Sequence, residues 1–146
     1  MAAAPAAARP RPQLAASAAV FRDGKLLIAC RAAGPGAGNW SLPGGRVEAG
    51  ETLAEAAARE VMEEVGVAAE IVAVAGIREI IRRDAAGTPI AHFVVVAHAA
   101  RWRAGEPTTG PEASAVAWVD PYDLGDRPTT DGLAEIVRAA SRLIDP

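Results

Sequence analysis

The stretch "ETLAEAAAREVMEEVG", residues 51–66, is the strongest constraint on how this chain can fold. Thr52 followed three residues later by Glu55 has the form of a capping box, and Gly66 supplies a C-terminal stop. The pattern predicts a helix over residues 51–65. Ala54, Ala58, Val61 and Val65 fall together as a core stripe. Glu60, Glu63 and Glu64 share an arc of about 100° on the broadly opposite side.

Strand-like segments flank this helix. "LAASAAVFRDGKLLIACRA" reads as two strands around Asp23-Gly24, a frequent hairpin pair. "NWSLPGG" reads as a short strand running into a sharp turn at Gly44-Gly45. After the helix, "AEIVAVAGIREIIRRD" is strand material with a bulge expected at Gly76, and "IAHFVVVAHAARW" is the strongest strand signal of all. "AVAWVD" adds a short strand, and "TDGLAEIVRAASRLI" a second amphipathic helix capped by Thr130 or Asp131. The fold class expected is α+β: a mixed sheet covered by helices, in one domain over residues 13–146 without internal repeats. The Ala/Pro/Arg-rich residues 1–12 read as a flexible tail.

Composition narrows the function classes. The chain has 146 residues and a formal net charge of −3, with no basic stripe suited to a nucleic-acid duplex. Cys30 is the only cysteine, which excludes a disulfide or a cysteine zinc site within one chain and predicts a buried structural thiol. No apolar run approaches the ~20 residues of a membrane span. A cytoplasmic enzyme is the expectation. "AGPGAGN" lacks the spacing and the Lys-Ser/Thr ending of phosphate-binding glycine loops and reads as a plain loop. Trp40, Trp102 and Trp118 are expected to pack in the core, and His92 and His98 to be strand residues without a metal role. Arg31, Arg78, Arg82 and Arg83 have the chemistry to reach phosphates, but their spacing does not select among them.

Three carboxylates crowded on one arc repel one another. Carboxylate oxygens are the ligands preferred by hard divalent cations, and a cation would relieve the crowding and bridge to phosphate oxygens. Residues 45–67, "GRVEAGETLAEAAAREVMEEVGV", resemble the Nudix box of the Nudix hydrolases. Gly45, Glu51, Arg59, Glu60, Val61, Glu63, Glu64, Gly66 and Val67 fill every specified position of that motif. The resemblance implies the Nudix α/β/α sandwich and a metal-dependent pyrophosphohydrolase using Mg²⁺ or Mn²⁺. It implies metal ligation by Glu60, Glu63, Glu64 and the carbonyl of Gly44, with Glu63 also a candidate for orienting or deprotonating water. Arg59 matches an arginine that pairs with Glu51 and so supports catalysis. Glu112, six residues before Trp118, resembles an acid that serves as base in many members, with Glu106 a second candidate.

The substrate class implied is a nucleoside diphosphate linked to a further group. The proline and tyrosine that mark some ADP-ribose and diadenosine-polyphosphate hydrolases are absent from residues 82–84, and the coenzyme A signature is incomplete. The general look of the segment around "HFVVVAHAARWRAGEP" favours an ADP-ribose-like substrate. A nucleoside triphosphate, including oxidised forms, is the alternative, and a non-catalytic nucleotide sensor a third reading. Homodimers are frequent among such proteins, and the partner expected otherwise is a small nucleotide, not a membrane or a duplex.

Overall fold

The structure, a computed structural model, describes residues 10–145. The tail expected over residues 1–12 therefore lies, through residue 9, outside the described residues. The hairpin around Asp23-Gly24 joins β1 (Gln13–Arg22) to β2 (Lys25–Arg31). Two short strands follow, β3 (Trp40–Ser41) and β4 (Gly44–Arg46), and then helix α1 (Leu53–Val65). Thr52 caps α1 with the full reciprocal capping box to Glu55, and Gly66 closes it. The long strands β5 (Ala68–Arg83) and β6 (Pro89–Ala104) form an antiparallel pair. Its register shifts between Val74 and Gly76, where the glycine predicted a bulge. β7 (Ala113–Val119) and α2 (Leu133–Ile144) complete the fold.

The strands build one seven-stranded sheet in the order β3-β2-β1-β6-β5, with β4 added beside β1 and β7 beside β2. Among the strands of the described residues only β1 and β6 pair parallel, which makes the sheet mixed. β1 has seven consecutive buried residues because both faces of the sheet are covered. Ala16, Ala18 and Val20, with Leu27 and Ala29, pack under Ala56, Ala57, Val61 and Val65 of α1. Ala19 and Phe21, with Leu26 and Ile28, pack against Leu133, Val137 and Ala140 of α2. Each fully buried Leu or Ile contributes about 1.5–3 kcal/mol. The result is the α/β/α sandwich expected from the sequence.

Three expectations need correction. The buried face of α1 is Ala56, Ala57, Val61 and Val65, whereas Ala54 is exposed and Ala58 half-buried. Alanine buries little area, so alanines on several faces leave the rotation of the helix undecided in the sequence. The observed rotation turns Glu60 and Glu64 toward the sheet. At α2 the N-cap is Gly132, without a side-chain cap. Thr130 is engaged elsewhere: its N–H donates to the Trp40 carbonyl at 3.1 Å, and its hydroxyl meets that of Ser41 at 3.0 Å. Cys30 is half-buried, at the end of β2 where the strand leaves the core.

Candidate active site

β1 and β2 pair only beside their turn, at Phe21–Leu26 and Arg22–Lys25, and then separate. Beyond that point β1 takes β4 and β6 as neighbours, and β2 takes β3 and β7. The segment from Trp40 to Arg46 crosses the gap, pairing Ser41 with Ala29 on β2 and Gly44 with Ser17 on β1. The Pro43 carbonyl accepts from Ala18 N–H at 3.1 Å and pins the crossing. A cleft of about 970 Å³ opens here, with Glu60, Glu64 and Glu112 in its lining.

These three glutamates each offer a carboxylate oxygen, and the three oxygens lie within 4.8 Å of one another. The backbone of Gly44-Gly45 forms their support. A Cβ on Gly45 would stand 2.5 and 2.6 Å from the two oxygens of Glu60, and one on Gly44 would stand 2.6 Å from Ser17 Cβ. Side chains are therefore excluded at both positions, and Glu60 lies directly against the main chain. Gly44 N–H donates to Glu64 Oε2 at 3.0 Å. Glu112 is carried by the loop before β7, whose path is fixed where its carbonyl accepts from Ala32 N–H at 3.0 Å.

Burial pushes the Glu64 carboxyl up to about 7, against the opposing pull of Gly44 N–H, with the charges of Glu112 and Glu60 adding to the rise. Glu60 is raised by the same cause, partly offset by its hydrogen bond from Arg59. Negative charge is thus concentrated where solvent cannot fully support it. Hard oxygen donors in such surplus match a divalent cation.

Arg59 organises the acids from the other side. Its Nε and Nη2 bind Glu51 Oε2 and Oε1 at 2.7 and 2.9 Å, its Nη1 reaches both Glu60 and Glu63 at 3.0 Å, and its Nη2 also donates to the Arg46 carbonyl at 2.9 Å. The Arg59 hydrogen bonds, and then Glu48 N–H, hold the Glu51 carboxyl below its ordinary range. The pairing of Arg59 with Glu51 expected from the sequence is present. Its reach to Glu60 was not foreseen, although the i,i+4 spacing to Glu63 was readable. Glu63 is 59% exposed and stands outside the three-carboxylate group.

Of the four arginines singled out in the sequence, Arg31, Arg78 and Arg82 line the cleft. Arg83 does not, and donates to the Gly87 carbonyl at 3.1 Å. Arg46 lines the cleft as well, with its guanidinium 5.8 Å from the centre of the Phe93 ring. Its place directly after Gly45 was the available signal. Glu106 lies elsewhere, bound to Arg22 at 2.8 Å. Trp40, Trp102 and Trp118 pack against the two cores. His98 is buried with Nδ1 3.1 Å from the Ser17 carbonyl, and His92 lies 3.7 Å from Glu79. Neither joins the carboxylate group. No helix among the described residues is long and apolar enough to cross a membrane.

Residues 11–140 match the NUDIX domain family. The chain belongs to the Nudix hydrolases. The solved MutT Nudix hydrolase of Burkholderia pseudomallei is 32% identical and superposes with a TM-score of 0.73, covering 88% of this chain and 98% of that one. An ADP-ribose pyrophosphatase of Methanocaldococcus jannaschii is 31% identical over 113 residues, which are 77% of this chain and 64% of that protein. A Mycobacterium tuberculosis protein with the provisional name 8-oxo-dGTP diphosphatase 2 is 35% identical over 118 residues, 78% of this chain and 77% of its own length. As a Nudix hydrolase, the chain is an enzyme acting on phosphoanhydride bonds.

Proposed function

We propose that this Nudix hydrolase cleaves the pyrophosphate link of a nucleoside diphosphate derivative of the ADP-ribose type, with Mg²⁺ or Mn²⁺ held by Glu60, Glu64 and Glu112. The observation that carries the reading is the meeting of those carboxylates with Arg31, Arg46, Arg78 and Arg82 around one cleft. Arginine forks suit the oxygens of a diphosphate. The carboxylates would repel the same diphosphate, so the donor set fits a divalent cation between them. When bound, that cation supplies neutralisation of the spreading phosphoryl charge and a more acidic water.

The chain's own residues do the positioning. Gly44 N–H orients Glu64, and Arg59 orients Glu60 while holding Glu63 at the rim. Glu112, the exposed member of the group, is the proposed acceptor for the proton of the attacking water, since it can pass that proton to solvent. The apolar wall, with Ile80, Phe93, Val95 and Ile136, offers a surface for a nucleobase. The relative named as an ADP-ribose pyrophosphatase supports this substrate. A second reading, a nucleoside triphosphate including oxidised forms, is supported by the mycobacterial relative.

The deciding experiment incubates the protein with ADP-ribose and a panel of normal and oxidised nucleoside triphosphates, each with both metals, and weighs the products. AMP plus ribose 5-phosphate supports the proposal. A nucleoside monophosphate plus pyrophosphate supports the second reading, and binding of ADP-ribose without any product would identify a sensor and refute both.

A further inference from the structure

A row of small residues crosses the sheet beneath the cleft. Gly76 on β5 stands opposite Ala97 on β6, Ala97 opposite Ser17 on β1, and Ser17 opposite Gly44 on β4. Residues opposite one another in the ladders share a face, and Ala97, Ser17 and Gly44 all line the cleft. The row covers three strand spacings of about 4.8 Å each, or ~14 Å. It begins where Gly44 N–H holds Glu64, and it ends at Gly76 beneath Ile136 of α2. The floor of the cleft is thus a shallow trough with the carboxylates at one end.

Ile136 closes the other end and itself lines the cleft. A Cβ on Gly76 would stand 2.6 Å from Ile136 Cδ1, and apart from its chain neighbours it would meet no other atom within 4 Å. Gly76 is not among the glycines at positive φ, so the backbone there accepts alanine and only Ile136 resists it. The tip of Ile136 therefore fills the place that a side chain at position 76 would take. Withdrawal of the whole helix would break core contacts, since Leu133 and Val137 are 2% and 0% exposed and packed against the sheet. A helical isoleucine also keeps one strongly preferred χ1. Bulk added at position 76 thus pushes Cδ1 toward the open side, which is the cleft.

We propose that the seat of Ile136 on Gly76 sets the depth of the trough so that it takes a purine base. Ile136 is the wall that the base meets, and Gly76 is a positioning residue acting through it. The inference rests on the reading of the apolar wall as the nucleobase surface, and it holds for ADP-ribose and for a purine nucleoside triphosphate alike. With the phosphates at the carboxylate end, the base lies toward Ile136. A purine is one fused ring longer than a pyrimidine and reaches the end wall first. A tip pushed forward by a methyl group at position 76 therefore collides with a purine and leaves a pyrimidine in place.

The test is calorimetric titration of AMP and UMP into the protein in Mg²⁺, with thermal unfolding as the control for folding. The wild type should bind AMP more tightly than UMP. Gly76→Ala should weaken AMP about tenfold, the scale of an overpacked contact, and UMP less than about twofold. Adding Ile136→Val, which removes Cδ1, should restore AMP to within about threefold of the wild type. Ile136→Ala alone only removes atoms, and it should weaken AMP about fivefold with little effect on UMP. On a purine nucleotide that the wild type hydrolyses, Gly76→Ala should raise KM about tenfold with kcat held within about twofold. A wild type that binds AMP no more tightly than UMP overturns the proposal. So do equal losses for AMP and UMP in either single variant, or a double variant that fails to restore AMP. Absence of turnover on every nucleotide tried would refute the proposed substrates, whereas the AMP and UMP titrations decide the seat by themselves.

Discussion

Replacing Glu64 by Gln is expected to make the metal-free protein more stable and less active at the same time. Burial raises the Glu64 carboxyl from its ordinary 4.5 to about 7, so the folded state prefers the neutral form. The stability carried by neutral Glu64 is complete below its unfolded pKa and is lost as pH rises through its folded one. Each tenfold change in proton affinity is worth about 1.4 kcal/mol, so the loss across that window is about 3 kcal/mol. Glutamine keeps an acceptor for Gly44 N–H and nearly the same volume, but carries no charge into the cluster. Urea unfolding of chelator-treated protein at about pH 5 and about pH 8 reads the effect. The advantage of Glu64→Gln over wild type should grow by about 3 kcal/mol between them, on the order of 10 °C in Tm. Saturating Mg²⁺ or Mn²⁺ at the higher pH should raise the Tm of the wild type far more than that of the variant. Turnover should fall by at least ~10²-fold. A stability difference independent of pH, or equal gains from metal in both proteins, would refute the reasoning.

Gly45→Ala drives a Cβ into the carboxylate of Glu60 and should cost about 1–3 kcal/mol by overpacking, together with most of the activity, as checked by thermal unfolding and turnover. Glu112→Gln should lower kcat by ~10²-fold, on the scale of losing a proton acceptor, while Glu106→Gln, on a residue bound to Arg22, should leave kcat unchanged. Arg82→Ala should raise KM about tenfold by removing a charged contact to phosphate, whereas Arg83→Ala should not change it. Steady-state kinetics separates each pair.

What was legible in the sequence is what is local along the chain. The caps of α1 depend on Thr52, Glu55 and Gly66, all within one segment, whereas the Arg59–Glu51 pair was implied by the resemblance of residues 45–67 to the Nudix box. The turn at Asp23-Gly24 is local in the same way as the caps. The rotation of α1 was hidden because its alanines offer no single apolar face. Separating Glu63 from Glu60 and Glu64 then required the tertiary position of Arg59 and Gly44. Which arginines reach the cleft was equally unreadable. Arg82 and Arg83 are neighbours in a strand, but the ladder with β6 shifts register between them, and only Arg82 lines the cleft. Glu112 entered by resemblance alone, since its approach to Glu60 depends on β7 pairing with β2.

The parallel pairing of β1 with β6 has a consequence for how the chain reaches this state. Ala16 meets Val96 across 80 positions of sequence, with β2, α1 and β5 all intervening. Such a closure must be completed before its contacts are rewarded, which slows folding relative to a helical protein of the same size. Strands β1 and β6 together carry the floor on which Gly44, Glu60 and the cleft-lining Phe93 meet. Contacts distant in sequence therefore assemble its chemistry, and a nascent chain released before β6 has emerged from the ribosome holds its acidic helix without the floor beneath it.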